Sequence, residues 1–169
     1  VEEAAFAMIT LVLGGTRSGK SEVAESLAAR SGGRVAYVAT GTATDPDMAA
    51  RIAAHRSRRP ASWSTVEAGV DLPAVLAGLP GVVLLDSLGT WVAAHPDLAP
   101  DGDALCRALA ARPADTVVVS EEVGLGVHPP TEAGRRFADA LGTLNRQVAA
   151  VAGDVLLVVA GRTLALPPP

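Results

Sequence analysis

The chain has 169 residues, a formal net charge of −4 and one cysteine, Cys106. That length suits one domain with its own apolar core, and a lone cysteine excludes an internal disulfide or a cysteine-rich zinc site. The hydrophobic fraction of 49% comes in short blocks, which excludes disorder over most of the chain, and the acidic balance excludes a general nucleic-acid binder.

In chain order, residues 8–13 read as a buried strand. Residues 22–30 come next as a helix with Val23, Ala24, Leu27 and Ala28 on one face, ended by Ser31-Gly32-Gly33. A second strand is expected over 34–39. A helix over 47–58 carries Met48, Ile52 and His55 on one side, and Pro60 stops or bends the chain just beyond it. A short strand over 64–68 precedes a short helix over 72–79, where Pro73 suits the first turn. Residues 81–86 form a third strong strand closed by Asp86, and residues 92–102 are the most loop-like interior stretch. Next come a helix over 103–111, a strand over 116–120 and the longest helix, over 131–151. The last carries Phe137, Leu141, Leu144 and Val148 at helical spacing. A strand over 155–160 and a short one over 162–166 end the pattern. Apolar strands alternating with helices indicate an α/β fold, a mainly parallel sheet with helices on both faces. One domain over 8–166 is expected, with 1–7 and 167–169 as terminal extensions. No run approaches the roughly 20 apolar residues of a membrane span. The start Val1-Glu2-Glu3 lacks the basic flank of a secretory signal, and Met8 is an alternative start. The single cysteine is consistent with a cytoplasmic protein.

Between the first strand and first helix stands Gly14-Gly15-Thr16-Arg17-Ser18-Gly19-Lys20-Ser21, the G-x-x-x-x-G-K-S phosphate-binding pattern. The glycines let backbone N–H groups curl around phosphate oxygens, and the adjoining helix adds the positive end of its dipole. Lys20 can bridge β- and γ-phosphates, and the Ser21 hydroxyl can ligate Mg²⁺. Thirteen of the fourteen basic residues are arginine, and Lys20 is the only lysine. A compact ammonium is kept at the one place where a planar guanidinium is a poor substitute. Asp86, ending an apolar strand, matches the acid that such a site places near its magnesium; the competing reading is a turn residue capping the next segment. The stretch Arg51-Ile52-Ala53-Ala54-His55-Arg56-Ser57-Arg58-Arg59-Pro60 concentrates cationic and titratable groups. Its arginines suit phosphate clamping, and neutral imidazole is a good nucleophile at phosphorus. Taken alone, however, such a histidine is more often an ordinary surface residue. His95 and His128 lie beside prolines and are given no chemistry.

From Ile9 to about Leu166 the chain resembles the bifunctional adenosylcobinamide kinase / adenosylcobinamide-phosphate guanylyltransferase family of cobalamin biosynthesis. The resemblance rests on Gly14 to Ser21, Tyr37-Val38-Ala39-Thr40, and the run Arg51-Ile-x-x-His-Arg-x-x-Arg-Pro-x-x-Trp-x-Thr-x-Glu67. It continues through Leu84-Leu85-Asp86-Ser87-Leu88, Thr90-Trp91, Glu122-Val123-Gly124-x-Gly126-x-x-Pro129 and Phe137-x-Asp139-x-x-Gly142-x-x-Asn145. It implies a P-loop NTPase-type sheet of RecA-like order. It also implies phosphorylation of adenosylcobinamide by ATP or GTP, then transfer of GMP from GTP to the resulting phosphate through a GMP–histidine bond, at His55. Gly14 to Ser21, Ala39, Thr40, Gly41, Arg56, Ser57, Arg58, Arg59, Glu67 and Asp86 are then nucleotide contacts. Glu67 takes the guanine, Ser21 and Asp86 hold Mg²⁺, and a homotrimer is implied. Each carry-over has a plainer rival: Glu67 an exposed strand-end charge, Trp63 a packing ring, Glu122 and Asn145 structural hydrogen bonders. Two departures stand out. Relatives often carry Asn where this chain has Glu121, and the segment 93–112 is shorter than in some of them. Two other functions stay open: a simple small-molecule P-loop kinase in which His55 only contacts phosphate, and a nucleotide-dependent regulatory switch, although no Asn-Lys-x-Asp guanine motif is present.

Overall fold

The computed structural model describes residues 7–41 and 46–169, with the side chains of Asp47, Met48, Arg51 and His55 outside that description. Among these residues seven strands form one sheet: β1 (Ile9–Gly14), β2 (Val35–Ala39), β3 (Ser64–Glu67), β4 (Val82–Asp86), β5 (Thr116–Glu121), β6 (Asp154–Val159) and β7 (Arg162–Ala165). Their spatial order is β3-β2-β4-β5-β1-β6-β7. Every pairing is parallel except β6 with β7. One strand, β5, therefore separates β1 from the strand ending in Asp86, which is the RecA-like arrangement. Among the described residues six helices connect the strands: α1 (Lys20–Arg30), α2 (Pro46–Arg58), α3 (Leu72–Gly78), α4 (Leu88–Ala94), α5 (Gly102–Ala110) and α6 (Glu132–Val151).

Side chains alternate across each strand, so the sheet feeds two cores. Ile9, Leu11, Val38, Val83, Leu85 and Val118 face the larger one. There they meet Leu72 and Leu76 of α3, Leu88 and Trp91 of α4, Leu105 and Leu109 of α5, and Leu141, Leu144 and Val148 of α6. Val12, Tyr37, Leu84, Val117 and Val119 face Ala24 and Ala28 of α1, with Trp63 packed at the edge. The small residues of α1 let that helix lie close to the sheet and hold the loop before it against β1.

Helix α4 occupies sequence expected to lead into a loop. Its seven residues are too few to show a period, and Gly89 and Thr90 are weak helix formers. Its start signal is nevertheless present: the Ser87 hydroxyl accepts from the Thr90 N–H, and the Thr90 side chain answers back in a capping box. Trp91 is fully buried and donates its indole N–H to the Val70 carbonyl at 3.1 Å.

A buried arginine closes the opposite end of the sheet. Arg112 donates to the carbonyls of Leu76 (2.9 Å), Leu79 (3.0 Å) and Gly81 (2.6 Å) and to the Thr116 hydroxyl (2.8 Å). Burial pulls its guanidinium below the usual value. The Leu76 carbonyl also accepts from the Leu79 N–H at 3.3 Å, and Leu79 and Gly81 lie past the last turn of α3, so this side chain adds a cap to the helix end. Arg112→Met is expected to cost about 3 kcal/mol of unfolding free energy by stranding several buried acceptors. Urea unfolding checks this: the midpoint should drop with the slope unchanged.

Candidate active site

The strand ends gather the residues singled out in the sequence. Gly14 pairs with Glu121, Ala39 with Asp86, and Ala39 with Glu67. The C-terminal edge of β1, β5, β4, β2 and β3 thus carries the phosphate-binding turn and then a row of acids, where ligands bind in open parallel sheets.

The turn between β1 and α1 is held in a shape that only these residues tolerate. Gly19 has φ 94° and Arg17 φ 56°. A Cβ on Gly14 would overlap the Ser18 hydroxyl, and one on Gly19 would press on the Cα of Gly161 at 3.2 Å. The Gly161 N–H fastens the turn to the β6–β7 connection through the Ser18 carbonyl at 2.7 Å. The Lys20 ammonium rests on the Gly15 carbonyl at 3.3 Å, the one bond it makes among the described residues and a long one that a better acceptor displaces readily. The Ser18 hydroxyl is buried with no hydrogen-bond partner among the described residues. An orphaned donor inside a ring of backbone N–H groups fits an anionic ligand. A cavity of about 710 Å³ opens over this turn, lined by Thr16 to Glu22 together with Arg58, Glu121 and Gly161.

Helix α2 lies against the turn's own helix. Arg58 reaches Glu22 at 3.7 Å and Glu25 at 3.5 Å, both on α1. Arg59 places its guanidinium 3.5 Å from the centroid of the Tyr37 ring. Tyr37 in turn donates its hydroxyl to Asp86 Oδ2 at 3.0 Å. Arg58 is thus brought into the cavity expected for it. Arg59 touches an aromatic ring instead, one step from the acid that ends β4. Arg56 and Ser57 are exposed, and the Ser57 hydroxyl donates to the Ala54 carbonyl of its own helix at 2.9 Å. Position 55 lies in α2 one turn before Arg58, and the His55 side chain is outside the described residues.

Tyr37 is the only tyrosine, and its phenol is held far above its usual range. Burial is the main cause; the charge and hydrogen bond of Asp86 add to it, and the Arg59 cation opposes it. The phenol therefore stays a donor to Asp86. The native state keeps this proton when the unfolded chain loses it, so stability should fall as pH rises above about 10. Absorbance at about 295 nm is expected to show no ionisation of the native protein near pH 10 and a full step on unfolding. Tyr37→Phe should flatten the alkaline fall in stability.

Several residues around the site also make contacts within the scaffold. The Thr40 hydroxyl donates to the Ser87 carbonyl at 2.6 Å, contacts the Thr90 hydroxyl, and accepts from the Ser87 N–H at 3.1 Å. It therefore ties the end of β2 to the start of α4. Gly41 leaves room for Thr90, whose side chain a Cβ there would meet at 3.2 Å. Asp86 does not cap α4; Ser87 does. Glu67 stands exposed at the end of β3. Glu122 braces the loop after β5 by accepting from the N–H groups of Gly124 (2.8 Å) and Leu125 (2.9 Å). Asn145 accepts from the Ser120 hydroxyl at 2.6 Å and donates to the Glu121 carbonyl at 3.0 Å. Cys106 lies in α5, and burial, then the Asp103 charge, pushes its thiol up, away from nucleophilic use. His95 bonds the Trp91 carbonyl through Nδ1 at 2.8 Å.

In the sequence Glu121 stands out only as an added charge. The structure puts it on the strand beside β1 and into the cavity over the turn, whose lining does not include Asp86. The signal is the same one that flags Asp86, an acid ending a buried strand. What the residues alone do not display, and only the RecA-like order implied by the resemblance suggests, is that β5, not β4, neighbours β1.

These features place the molecule among the P-loop nucleotide-binding α/β proteins. A solved structure described as a prototypical ATPase from the type III secretion system of pathogenic bacteria superposes with TM-score 0.55 at 10% identity. It covers 94% of this chain and 56% of the other, so the chain spans just over half of that ATPase, and the likeness concerns the fold. The family model CobU, cobinamide kinase / cobinamide phosphate guanyltransferase, matches residues 10–166. The bifunctional adenosylcobalamin biosynthesis protein CobP of Pseudomonas aeruginosa is 42% identical over 168 residues, covering 94% of this chain and 97% of the relative. The bifunctional adenosylcobalamin biosynthesis protein CobU of Escherichia coli is 38% identical, covering 91% and 97%. The chain belongs to the cobinamide kinase / cobinamide phosphate guanyltransferase family, an enzyme family of cobalamin biosynthesis. Among the described residues, no helix is long and apolar enough to cross a membrane.

Proposed function

We propose that this chain phosphorylates adenosylcobinamide with ATP or GTP and then transfers GMP from GTP to the phosphate, giving adenosyl-GDP-cobinamide. The observation that carries the reading is the cavity over the glycine turn, which joins Lys20 and Ser21 to Arg58 of the histidine-bearing helix. In the first step the turn's N–H groups and Lys20 hold the β- and γ-phosphates, and catalysis is positioning and charge stabilisation. The hard oxygens of Ser21 and Asp86 suit Mg²⁺, and no group of three or more His, Cys, Asp or Glu among the described residues forms a closed metal cage. That fits an ion shared with substrate phosphates. Such an ion, when bound, offsets the charge of the triphosphate.

In the second step His55 attacks the α-phosphorus of GTP, a P–N bond forms, and pyrophosphate leaves. A phosphate oxygen of the corrinoid then attacks the same phosphorus and releases the imidazole. Arg56, Arg58 and Arg59 offset the charge of the triphosphate and its leaving pyrophosphate. Glu67, exposed at the end of β3, accepts from the N1–H and exocyclic amine of guanine. Ala39, Thr40 and Gly41 border the nucleotide, and the active form is a homotrimer in the cytoplasm.

The test uses the intact protein with adenosylcobinamide, ATP and GTP labelled at the α-phosphate. The expected result is a phosphorylated corrinoid with ATP, a GDP-linked corrinoid with GTP, and an acid-labile, base-stable label on the protein when no acceptor is present. A phosphorylated product without any guanylylated product would leave a simple kinase.

A further inference from the structure

We propose that Glu121 is a catalytic residue of the phosphorylation step, the group that takes the proton from the acceptor hydroxyl. This assignment rests on the kinase reading of the site and adds to it a residue for which the sequence offers no role.

The geometry begins with the backbone. Glu121 ends β5 in register with Gly14, the Glu122 N–H donates to the Gly14 carbonyl at 3.2 Å, and Asn145 holds the Glu121 carbonyl at 3.0 Å. The side chain is fixed on one side only. Its Oε2 accepts from the Gly89 N–H at 3.0 Å and from the Ser87 hydroxyl at 3.2 Å. Gly89 permits this approach, because a Cβ there would overlap Oε2. No hydrogen bond to a described residue engages Oε1. Two acids line the cavity over the glycine turn, Glu22 and Glu121. Glu22 faces Arg58 at 3.7 Å, whereas Glu121 has no cation within ion-pairing distance among the described residues.

A carboxylate beside a phosphate cradle repels the triphosphate. It is chemically useful there only if it meets a positive or proton-bearing group of the reacting complex. One oxygen pinned by two donors gives the other a set direction, which a proton acceptor needs and a mobile surface carboxylate lacks. The attacking group in the first step is an alcohol, which must lose a proton as its oxygen bonds to phosphorus. In the second step the attacking group is a phosphate oxygen that is already ionised. In the first step the hydroxyl oxygen bonds to the γ-phosphorus, the bond from that phosphorus to the β–γ bridging oxygen breaks, and nucleoside diphosphate leaves with the bond's electrons. The hydroxyl proton passes to Glu121 Oε1 and from there to solvent.

The two steps therefore separate in one variant. Glu121→Gln keeps an acceptor for Gly89 and Ser87 but cannot take a proton. With adenosylcobinamide and ATP, kcat is expected to fall about 100-fold or more, and the acid limb of its pH profile to vanish. KM for ATP should stay level or drop as the repulsive charge goes. With adenosylcobinamide phosphate and GTP the same preparation should lose far less in kcat than in the kinase reaction, with KM for GTP moving as KM for ATP does, and this remaining transfer also reports an intact fold. Kinase turnover equal to the parent's, equal losses in both reactions, or a rise in the Mg²⁺ concentration needed for half-maximal activity in both would overturn the assignment. The last outcome would make Glu121 an anchor for the metal's water. If E121Q does not fold, Glu121→Asp keeps the charge but withdraws it by one methylene. Kinase kcat should then fall by about tenfold or more with the pH profile retained, and an unchanged kcat would again overturn the proposal. Failure of the parent protein to phosphorylate adenosylcobinamide at all would instead count against the kinase function itself.

Discussion

Lys20→Met is expected to abolish both activities, lowering kcat/KM for each by about 10³-fold, or about 4 kcal/mol of transition-state stabilisation. Both reactions use a nucleoside triphosphate in one cradle, so a residue that holds its phosphates serves both. Among the described residues the ammonium makes one hydrogen bond, 3.3 Å to the Gly15 carbonyl, so little stability depends on it. Thermal unfolding of the variant should shift by no more than surface substitutions do, within about 0.5 kcal/mol. Lys20→Arg is the sharper comparison. The chain places arginine at every other basic position, so the change restores its own preferred cation. It is still expected to fail, because the planar fork is longer than the ammonium and must enter a turn already closed by Ser18 and Gly161. Steady-state kinetics with ATP and GTP, alongside nucleotide-binding calorimetry, check both variants. Retention of either activity in Lys20→Met would mean that the two reactions do not share this cradle.

Most of the strands, β1, β2, β4, β5 and β6, are legible in the sequence because each carries a run of apolar residues with turn residues beside it. In a sheet covered on both faces nothing else is needed to bury them. The glycine turn is legible because its chemistry is local: one short unbroken run, Gly14 to Ser21, holds the cradle, the lysine and the magnesium hydroxyl. Helix α4 is not, because its seven residues carry the start signal of Ser87 and Thr90 but no period. The place of Glu121 is not legible either. Its importance comes from the neighbour relation between β1 and β5, strands far apart along the chain, and strand order is a tertiary property. Nor does the sequence distinguish arginines of equal spacing. Arg58 enters the cavity and pairs with α1, while the adjacent Arg59 stacks on Tyr37, whose phenol leads on to Asp86. A run of basic residues names a function for the segment; packing divides the labour among its members.

His55→Gly is expected to separate the two reactions. Phosphorylation of adenosylcobinamide should continue within about threefold of the parent rate, because the kinase step needs no covalent bond to the protein. GMP transfer should drop by about 10⁴-fold or more, with no label retained from α-labelled GTP. Of the three histidines, His95 is bound to the Trp91 carbonyl, and His128 is on the exposed loop after β5. The third lies in α2, whose last turn is fastened by Arg58 to Glu22 and Glu25 on the helix that starts at Lys20. That anchoring keeps position 55 one turn from a residue lining the phosphate cavity. A missing nucleophile can be replaced from solution. Added imidazole is expected to restore GMP transfer in His55→Gly in proportion to its concentration, through attack on the α-phosphorus and departure of pyrophosphate, and then displacement by the corrinoid phosphate. A phosphate clamp offers no such rescue, since free imidazole does not reproduce a tethered contact. Restored transfer with the ATP-dependent phosphorylation left unchanged by imidazole would identify the ring as the group that carries GMP. Loss of both activities without rescue would assign His55 to nucleotide binding and leave the kinase as the one activity to explain.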